Sequence, residues 1–339
     1  MPLITTLIPA YKKDFLGEVF AGLARQSFKD FQVILSDDSP QAEITRLIRD
    51  GHYGPAVRQL QLTVVRGPCN ARRNHECLLE RWAGQTPLVH FHLDDDLIYP
   101  EFYRQHVEAH ATGRFSVSIT PRWLGPATGK PSWSLPLPDF IEASPLHRVV
   151  VDADTLIRST VPKGENWVGE LNNLVFAADA MARYPYPPSD GLSYYGLMDI
   201  GAVIEAVKLA PAVFIRDYQS FFRQHDEQST RSVGTHSHRI AMLVWAAMAL
   251  HAWQEQRLSG QEAVQGVSLT VRRCLALYGE GDPVMDTFYR LVQQHGASLP
   301  QLHQAFTQFW LTLLASHPST SAPTKAATPL ASMPAAALA

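Results

Sequence analysis

The chain has 339 residues, of which 46% are hydrophobic and 18% are charged, so it can bury one large core or two smaller ones. A formal charge of −3 lacks the basic excess of nucleic-acid-binding proteins and excludes nucleic acid as an expected partner. Three cysteines without CxxC spacing exclude a cysteine-rich zinc site and a fully paired disulfide framework. No cationic segment followed by an apolar stretch opens the sequence, so we expect a cytoplasmic protein.

The first hundred residues alternate between short apolar runs and helical patterns. Leu3 to Ile8 predicts a first strand that Pro9 ends, and further apolar runs predict strands at 31–35, 60–65 and 88–93. Apolar side chains at helical spacing indicate helices between them, at 16–23, 41–49 and 70–82. Strands that alternate with helices are typical of βαβ units. The expected fold class is therefore α/β, with a mainly parallel sheet flanked by helices.

Polar side chains follow each predicted strand at its carboxyl end, where parallel sheets bind their ligands. They are Tyr11 after the first strand, Asp37 and Asp38 after the second, residues 67–74 after the third, and Asp94, Asp95 and Asp96 after the fourth. Three adjacent carboxylates repel one another, and a hard divalent cation such as Mg²⁺ or Mn²⁺ would offset that repulsion. Glycine-rich phosphate-binding motifs are absent from the sequence. The triplet therefore predicts a metal–diphosphate site, in preference to a solvated acidic loop that caps the next helix.

The second half of the sequence is less regular until residue 236. Its pattern is extended over 148–157, helical over 195–208, a short strand over 213–215 and a polar loop over 223–229. Apolar helical segments follow at 239–257, 261–278, 284–295 and 299–315. The run from Ile240 to Leu250 is too short to span a bilayer and predicts a buried helix rather than a membrane-surface one. From Ser316 onward, a composition of Ala, Pro, Ser and Thr predicts disorder.

Several segments together carry a resemblance to one known family. They are 8–14 (Ile-Pro-Ala-Tyr-Lys-Lys-Asp), 26–39 with its double Asp, 70–74 (Asn-Ala-Arg-Arg-Asn), 93–96 followed by Pro100, 196–199 (Gly-Leu-Met-Asp), and 222–225 with 228–229. In this order, they resemble six motifs of the inverting family 2 glycosyltransferases. These motifs are the first strand and turn, the second strand, the Ala-Arg-Asn helix start, the DxD element, the later acidic motif and the Arg-x-His loop. These enzymes have the GT-A fold. The resemblance covers 3–230 and is most specific in the first hundred residues.

The resemblance implies a division of the chain into three regions. Residues 1–230 would form the GT-A domain, with 1–115 as its nucleotide-binding half and 116–230 as its acceptor-binding half. Residues 236–315 would form a helical C-terminal region without a named counterpart in the family, and 316–339 a disordered tail. The C-terminal helices would form a homodimer, contact a membrane peripherally at its inner face, or complete the acceptor site.

The resemblance also implies a nucleotide-sugar donor, with uridine as the default base. The acceptor would be a hydroxyl of a glycan, of a lipid-linked molecule or of a protein. Asp38 would accept a hydrogen bond from the base, and Asp94 would lie near the ribose. The full set of nucleotide-binding residues that the resemblance implies is Pro9, Tyr11, Asp38, Arg72, Arg73 and Asp94.

The implied metal ligands for Mn²⁺ or Mg²⁺ are Asp95, Asp96 and His225. The family's DxD element is a solid triplet here, which leaves two assignments open. Spacing back from Pro100 favours Asp95 as the ligand, whereas a literal DxD pattern favours Asp94 together with Asp96. His225 would act as a third ligand or contact the diphosphate.

Asp199 would be the catalytic base that takes the proton of the acceptor hydroxyl. Its place near a predicted helix start also fits a simple capping role. Glu170 is the alternative base and, with Trp167, a candidate acceptor-binding residue. Polar neighbours favour stacking of Trp167 on a sugar over a place in the core. His90 and His92 share one face of their strand and are expected to be structural.

Two other functions compete with inverting, metal-dependent glycosyl transfer. A non-catalytic nucleotide-sugar- or glycan-binding module would keep the fold without turnover. A phosphatase of the haloacid dehalogenase type also places DxD after a strand, but it requires Thr or Val shortly after the second Asp and uses the first strand. Here Leu97 follows the triplet, and the motif follows the fourth strand. The sequence therefore favours the glycosyltransferase.

Overall fold

The computed structural model describes residues 1–182, 191–225, 234–316 and 333–334. Its strands are β1 (Ile4–Ala10), β2 (Phe31–Asp37), β3 (Leu62–Arg66), β4 (Leu88–Phe91), β5 (Leu97–Ile98), β6 (Val117–Ile119), β7 (Arg122–Pro126), β8 (Arg148–Val151), β9 (Leu174–Ala177), β10 (Ala212–Ile215), β11 (Ser220–Gln224) and β12 (Met333–Pro334). Its helices are α1 (Leu16–Ala24), α2 (Glu43–Arg49), α3 (Ala71–Trp82), α4 (Phe102–His110), α5 (Asp139–Glu142), α6 (Ala153–Thr160), α7 (Ala178–Met181), α8 (Met198–Val207), α9 (His236–Gln254), α10 (Gly260–Tyr278), α11 (Pro283–His295) and α12 (Leu299–Ala315).

The large sheet has the strand order β12-β3-β2-β1-β4-β9-β6-β10-β8. Its β3-β2-β1-β4 half is parallel, as the alternation of strands and helices predicts. In the other half, β9 runs antiparallel to both β4 and β6, while β10 pairs parallel with β6 and antiparallel with β8. The predicted α/β class with a mainly parallel sheet is confirmed.

Proline at position 9 does not end the first strand, contrary to the prediction. β1 continues past it, and Pro9 pairs in register with Ser36 of β2. The last pair between β1 and β4 is Leu7 with Phe91, and the Leu7 C=O accepts the N–H of His92 at 2.9 Å. Two residues further on, the nitrogen of Pro9 faces the same side, beyond the last paired residue of β4. Its missing N–H therefore removes no hydrogen bond from the sheet.

Two other sequence predictions change in the structure. Residues 148–157, predicted to be extended, divide into β8 and α6, because Asp152 accepts the N–H of Thr155 at 2.7 Å and caps the helix. The predicted polar loop from 223 begins as part of β11, and its residues 226–229 lie outside the described part. β11 pairs with β5 and β7 in a second, three-stranded sheet. This small sheet joins the segment after the acidic triplet to the strand that precedes His225.

The C-terminal helices share one hydrophobic core with one face of the large sheet. The run from Ile240 to Leu250 is largely buried inside α9, as predicted for a core helix. Its buried side chains belong to the same cluster as Phe91 of β4 and Trp310 of α12. In the described part of the chain, no helix is both long and apolar enough to cross a bilayer. Most of the tail for which disorder is predicted lies outside the described residues, and Met333–Pro334 pairs antiparallel with β3.

Candidate active site

Asp94 attaches the loop after β4 to the loop after β1. Its Oδ2 accepts the backbone N–H groups of Tyr11 at 2.7 Å and Lys12 at 2.6 Å. Burial and the neighbouring charge of Asp95 raise the pKa of Asp94 to about 6, although the two N–H donors favour the ionised form. The predicted neighbours Tyr11 and Asp94 therefore lie together at the carboxyl edge of the sheet. The Tyr11 side chain is 60% exposed there.

Asp95 lies at the centre of a cationic cluster. Its Oδ2 is 2.5 Å from Lys12 Nζ and 2.9 Å from His225 Nε2, and those two nitrogens are 3.2 Å apart. Burial disfavours the Asp95 carboxylate, but the hydrogen bonds and charges of Lys12 and His225 outweigh it and hold the pKa of Asp95 below its usual range. Asp95 and His225, which are 130 positions apart in the sequence, are therefore in direct contact.

Asp96 faces a different set of partners. It is fully buried, and its Oδ1 accepts the backbone N–H of Arg223 at 2.9 Å. Burial and the charge of Asp95 raise the pKa of Asp96 well above its usual range. The Arg223 guanidinium donates to the Asp95 C=O at 2.6 Å and to Glu18 Oε2 at 2.9 Å, so it fixes the backbone of the triplet.

The metal ligands implied by the resemblance are only partly brought together. Among the residues that the structure describes, no three His, Cys, Asp or Glu side chains form a group that could hold a metal ion. Asp96, implied as a co-ligand with Asp95 and His225, faces Arg223 instead, and its Oδ1 accepts the backbone N–H of that residue at 2.9 Å. Asp95 and His225 do converge, and the Lys12 ammonium lies 2.5 Å from Asp95 Oδ2 and 3.2 Å from His225 Nε2. One carboxylate and one imidazole fit a divalent cation that completes its shell with phosphate and water.

Asp38 lies at the carboxyl end of β2 beside the start of α3. Its Oδ1 accepts the N–H of Cys69 at 2.5 Å, and its own N–H donates to the Ala10 C=O at 2.7 Å. Burial raises its pKa, although the N–H of Cys69 and the Arg66 charge act in the opposite direction. A Cβ on Gly67 would lie 2.5 Å from Asp38 Oδ1, so only glycine allows this close approach.

Asp37, the other member of the pair, holds the turn after β2. Its Oδ1 accepts the N–H of Ser39 at 3.0 Å, and its Oδ2 accepts the N–H of Thr45 at 2.8 Å. The hydroxyls of the same two residues also donate to it. Asp37 is fully buried by these contacts. Asp37 therefore stabilises the turn after β2.

The side chains of Arg72 and Arg73, at the start of α3, contact different parts of the protein. Arg73 pairs with Glu76 and Glu80 of its own helix, both at 2.9 Å. The Arg72 guanidinium lies 5.5 Å from the centre of the Tyr195 ring, in the segment that leads to α8. Arg72 therefore connects the nucleotide-binding half to the segment that precedes Asp199, whereas Arg73 follows the surface of α3.

Asp199 occupies the first turn of α8 and is half-buried. Its Oδ1 accepts the N–H of Ile200 at 2.8 Å, and a carboxylate is favourable at this end of a helix. Burial and the nearby charge of Glu170 nevertheless raise its pKa to about 7, while Arg122 acts in the opposite direction. A carboxylate with this pKa accepts protons efficiently near neutral pH.

Glu170, the alternative base, is engaged by a buried guanidinium. Arg122 is 5% exposed and contacts both oxygens of Glu170, with Nη2 at 2.9 Å from Oε1. The backbone N–H of Glu170 donates to Asn173 Oδ1 at 2.9 Å and closes a capping box. The charge of Glu170 acts on both Asp96 and Asp199. Both candidate bases therefore lie in one acidic neighbourhood beside the triplet, and Glu170 has the stronger cationic partner.

The segment before Asp199 rests directly on helix α9. Gly196 has a φ of +102°, and a Cβ there would lie 3.0 Å from both the N and Cα atoms of Ala241. Main-chain atoms of a buried helix cannot move aside cheaply, so position 196 requires glycine for its backbone conformation and for space. The contact with α9 thus fixes the backbone position of the segment that leads to Asp199.

We expect Gly196→Ala to lower kcat for sugar transfer by about tenfold to a hundredfold, because a displacement of Asp199 by about 1 Å is enough for such a loss. Nucleotide affinity should change by less than about fivefold, since Arg72, through its contact with Tyr195, is the proposed nucleotide contact that reaches this segment. Steady-state kinetics and calorimetry would measure the two effects. Gly279→Ala is the matched control, because Gly279 also has a positive φ of 66° but a Cβ added to it would have no atom within 4 Å. An unchanged kcat in Gly196→Ala would contradict this role.

The raised pKa of Asp199 also affects stability. At pH 8 the folded protein holds an ionised carboxylate in a place that disfavours it, whereas the unfolded chain ionises near pH 3.8. The folded state therefore loses stability as the pH rises from 3.8 to about 7, and the neutral amide of an Asp199→Asn variant avoids that loss. We expect the variant to be more stable than wild type by about 2 kcal/mol at pH 8, with a smaller gain at pH 5. Urea unfolding at both pH values would test this; a gain independent of pH would contradict it.

The prediction that Trp167 stacks on an acceptor sugar is wrong in this structure. Trp167 is 3% exposed, its Nε1 donates to Ser159 Oγ at 3.1 Å, and its ring contacts Phe140 and Phe214. It therefore fills the core under the acceptor-binding half. The other candidate, Glu170, remains at the site surface.

His90 and His92 are structural, as expected from their strand. Both are fully buried. His90 contacts the hydroxyl of Tyr103 and the C=O of Asn172, each at 3.0 Å, and His92 contacts the C=O of Leu93 at 2.9 Å. These contacts join β4 to its neighbours beneath the triplet.

Three basic residues of the site have no role in the sequence-based predictions. Lys12 follows the first strand directly, so its place at the ligand-binding edge was available from the strand pattern alone. Arg223 belongs to the Arg-x-His motif, but its burial depends on the small sheet. Arg122 carried no sequence signal that we can identify. Each of these cations contacts a carboxylate or the backbone of the acidic cluster.

Residues 5–157 match the family model described as Glycosyl transferase family 2. No curated protein gives a significant match. The family-model match confirms the resemblance to family 2 over the segment that contains Asp38 and the acidic triplet.

Solved structures of S. aureus TarS share the fold of this chain. One TarS structure has 15% identity and a TM-score of 0.57; the match covers 92% of this chain and 55% of TarS, so the chain spans about half the length of that protein. TarS 1-349 in complex with UDP-GlcNAc has 14% identity and a TM-score of 0.55, with 92% of this chain and 91% of that fragment covered. The same fragment with UDP has 16% identity and a TM-score of 0.58, with 92% and 90% covered. The likeness confirms the GT-A fold and includes most of α9–α12.

Proposed function

We propose that this chain, whose residues 5–157 match glycosyltransferase family 2, transfers a sugar from a nucleotide-sugar to an acceptor hydroxyl with inversion. The observation that carries the proposal is the convergence of Asp95, His225 and Lys12 at the sheet edge that also holds Asp94 and Asp96. Such a cluster suits a diphosphate and a divalent cation. A buried acidic neighbourhood with Asp199 lies beside it, which supplies a base.

The proposed donor site uses the ends of the first strands. Asp38 would accept a hydrogen bond from the nucleotide base, with Pro9 and Tyr11 lining the pocket and Asp94 near the ribose. Arg72 is favoured over Arg73 as a nucleotide contact. Arg72 pairs with one glutamate of α3, Glu76 at 3.2 Å, whereas Arg73 pairs with both Glu76 and Glu80 at 2.9 Å. A uridine nucleotide is the proposed donor base, which agrees with the UDP-GlcNAc and UDP complexes of the TarS fragment that shares the fold.

The proposed metal site uses Asp95 and His225. A bound Mn²⁺ or Mg²⁺ would stabilise the negative charge that develops on the diphosphate leaving group. Asp95 and His225 would orient that group, while the hydrogen bonds from Tyr11 and Lys12 to Asp94 keep the two loops together. The second oxygen of Asp96 is buried without a hydrogen-bond partner among the described residues, and burial favours the neutral form of this carboxyl by raising its pKa.

Asp199 is the proposed base for a single displacement. Its carboxylate would accept the proton of the acceptor hydroxyl while that oxygen attacks the anomeric carbon from the face opposite the diphosphate. The pKa of about 7 matches this task near neutral pH. Glu170, held by Arg122, is proposed to bind the acceptor rather than to take the proton. No covalent nucleophile is required.

We further propose that the catalytic unit spans 1–230 and that 236–315 support it through the contact of Gly196 with Ala241. A glycan, a lipid-linked molecule or a protein remains the proposed acceptor. Dimerisation or peripheral membrane contact through the C-terminal helices remains a prediction from the sequence.

A panel of nucleotide-sugars with Mn²⁺ tests the proposed function. We expect at least one uridine-linked sugar to raise the melting temperature in a Mn²⁺-dependent way and to be slowly hydrolysed without an acceptor. Stabilisation without any hydrolysis or transfer would instead indicate a non-catalytic binding module. No stabilisation by any nucleotide-sugar would contradict both functions.

A further inference from the structure

Lys12 holds the two side chains that the proposed function assigns to a metal. Its Nζ lies 2.5 Å from Asp95 Oδ2 and 3.2 Å from His225 Nε2. These are the same oxygen and nitrogen atoms that contact each other at 2.9 Å. The Lys12 ammonium therefore neutralises part of the acidic cluster.

The ammonium and a divalent cation cannot share this position. Both would use the lone pairs of Asp95 Oδ2, and the ammonium already lies 3.2 Å from His225 Nε2. Two positive charges at this separation repel each other. Occupation by a metal would therefore require the ammonium to leave.

The Lys12 side chain is able to leave without disturbing the loop. Its backbone is held by its own N–H bond to Asp94, and its side chain is 24% exposed. A lysine stem with four rotatable bonds can move its ammonium several ångströms about a fixed Cα. The anionic group expected beside Asp95 is the diphosphate of the donor, and lysine is a common phosphate-binding residue.

We propose that Lys12 is a displaceable cation. It occupies Asp95 and His225 when no divalent ion is bound, and it moves to the diphosphate of the donor when one binds. This inference rests on the proposed function. It predicts that metal and nucleotide bind with positive coupling, because the metal releases the ammonium that the diphosphate needs.

Calorimetric titration of Mn²⁺ alone into the purified full chain tests the first half of the proposal. Lys12→Met should bind Mn²⁺ at least about tenfold more tightly than wild type, because the competing ammonium is gone. Lys13→Met is the matched control: it removes the same charge one position away, from an exposed lysine that pairs with Glu43 at 2.8 Å. It should change Mn²⁺ affinity by less than about threefold, since exposed charges are screened. Equal affinities of the two variants would overturn the proposal.

Titration of UDP at saturating Mn²⁺ tests the second half. Lys12→Met should bind UDP at least about tenfold more weakly than wild type, whereas Lys13→Met should be unchanged. Unaltered UDP affinity in Lys12→Met would overturn the movement of Lys12 to the diphosphate. Lys12→Gln should reproduce both results if Lys12→Met is poorly folded. Asp95→Asn separates the two proposals. If this variant binds Mn²⁺ as tightly as wild type, the metal site of the proposed function is wrong. If it loses Mn²⁺ binding while Lys12→Met and Lys13→Met bind Mn²⁺ with equal affinity, only the displacement of Lys12 is wrong.

Discussion

Replacing Asp199 with asparagine is expected to lower kcat for sugar transfer by about 10²–10⁴-fold, the range typical for loss of a general base. Asparagine keeps the shape of the side chain and its hydrogen bond to the N–H of Ile200, but it cannot accept the acceptor proton. Affinity for UDP with Mn²⁺ should stay within about twofold, because Asp199 does not contact the triplet cluster. Initial rates and calorimetry on the same preparation would measure both quantities.

The pH dependence of sugar transfer by the wild-type chain is an independent check on the proposed base. The pKa of Asp199 is raised to about 7 by burial and by the charge of Glu170. Because the base must be ionised to act, kcat/KM should rise as the pH increases and level off above about 7. Near-normal turnover in Asp199→Asn would show that the base lies elsewhere, and Glu170→Gln would be the variant to examine next.

The second large effect is expected from Asp95→Asn, which should abolish measurable transfer, a loss of about 10³-fold or more. The carboxylate of Asp95 is the acceptor shared by Lys12 and His225, and an amide would supply only a weak ligand for a cation. Mn²⁺-dependent binding of UDP should weaken in parallel. Rates and nucleotide affinity, each with and without Mn²⁺, would measure the change.

Asp14→Asn serves as the control for Asp95→Asn. Asp14 is an exposed carboxylate in the loop after β1, close to the site but outside the Asp95 cluster. The control should keep its rate within about twofold, since an exposed charge contributes little at physiological ionic strength. If Asp95→Asn transferred sugar at the same rate as Asp14→Asn, Asp95 would have no role in the reaction.

The parts of the fold that depend on local chemistry could be predicted from the sequence. Apolar runs located β1 to β4, and Asn70 before Ala71 marked the start of α3, where its side chain accepts the N–H of Arg73 at 3.0 Å. The parallel order of these strands then predicted that Asp38 and the triplet would share one edge of the sheet. Each of these steps uses residues that are close together in the sequence.

The direction of each side chain in the site could not be predicted in this way. Which of three adjacent carboxylates faces a ligand depends on partners far along the chain: Asp96 is held by Arg223, 127 positions away, and Asp95 by His225. The polar neighbours of Trp167 suggested a surface position, but Phe140 and Phe214 enclose it. Such contacts exist only once distant elements have packed.

The structure shows how the repulsion among Asp94, Asp95 and Asp96 is offset. A bound cation was the simplest means of offsetting three adjacent charges. In the structure, backbone N–H groups serve Asp94 and Asp96, and Lys12 with His225 serves Asp95. The protein therefore neutralises part of the cluster with its own donors and leaves Asp95 as the position where a divalent cation would compete.

Calorimetric titration of UDP into the wild-type chain, with and without Mn²⁺, tests most directly whether this edge of the sheet binds a metal–diphosphate pair. We expect Mn²⁺ to tighten UDP binding by at least about tenfold, and Asp95→Asn to remove that gain. The same dissociation constant with and without Mn²⁺ would contradict the metal-dependent mechanism proposed for this chain.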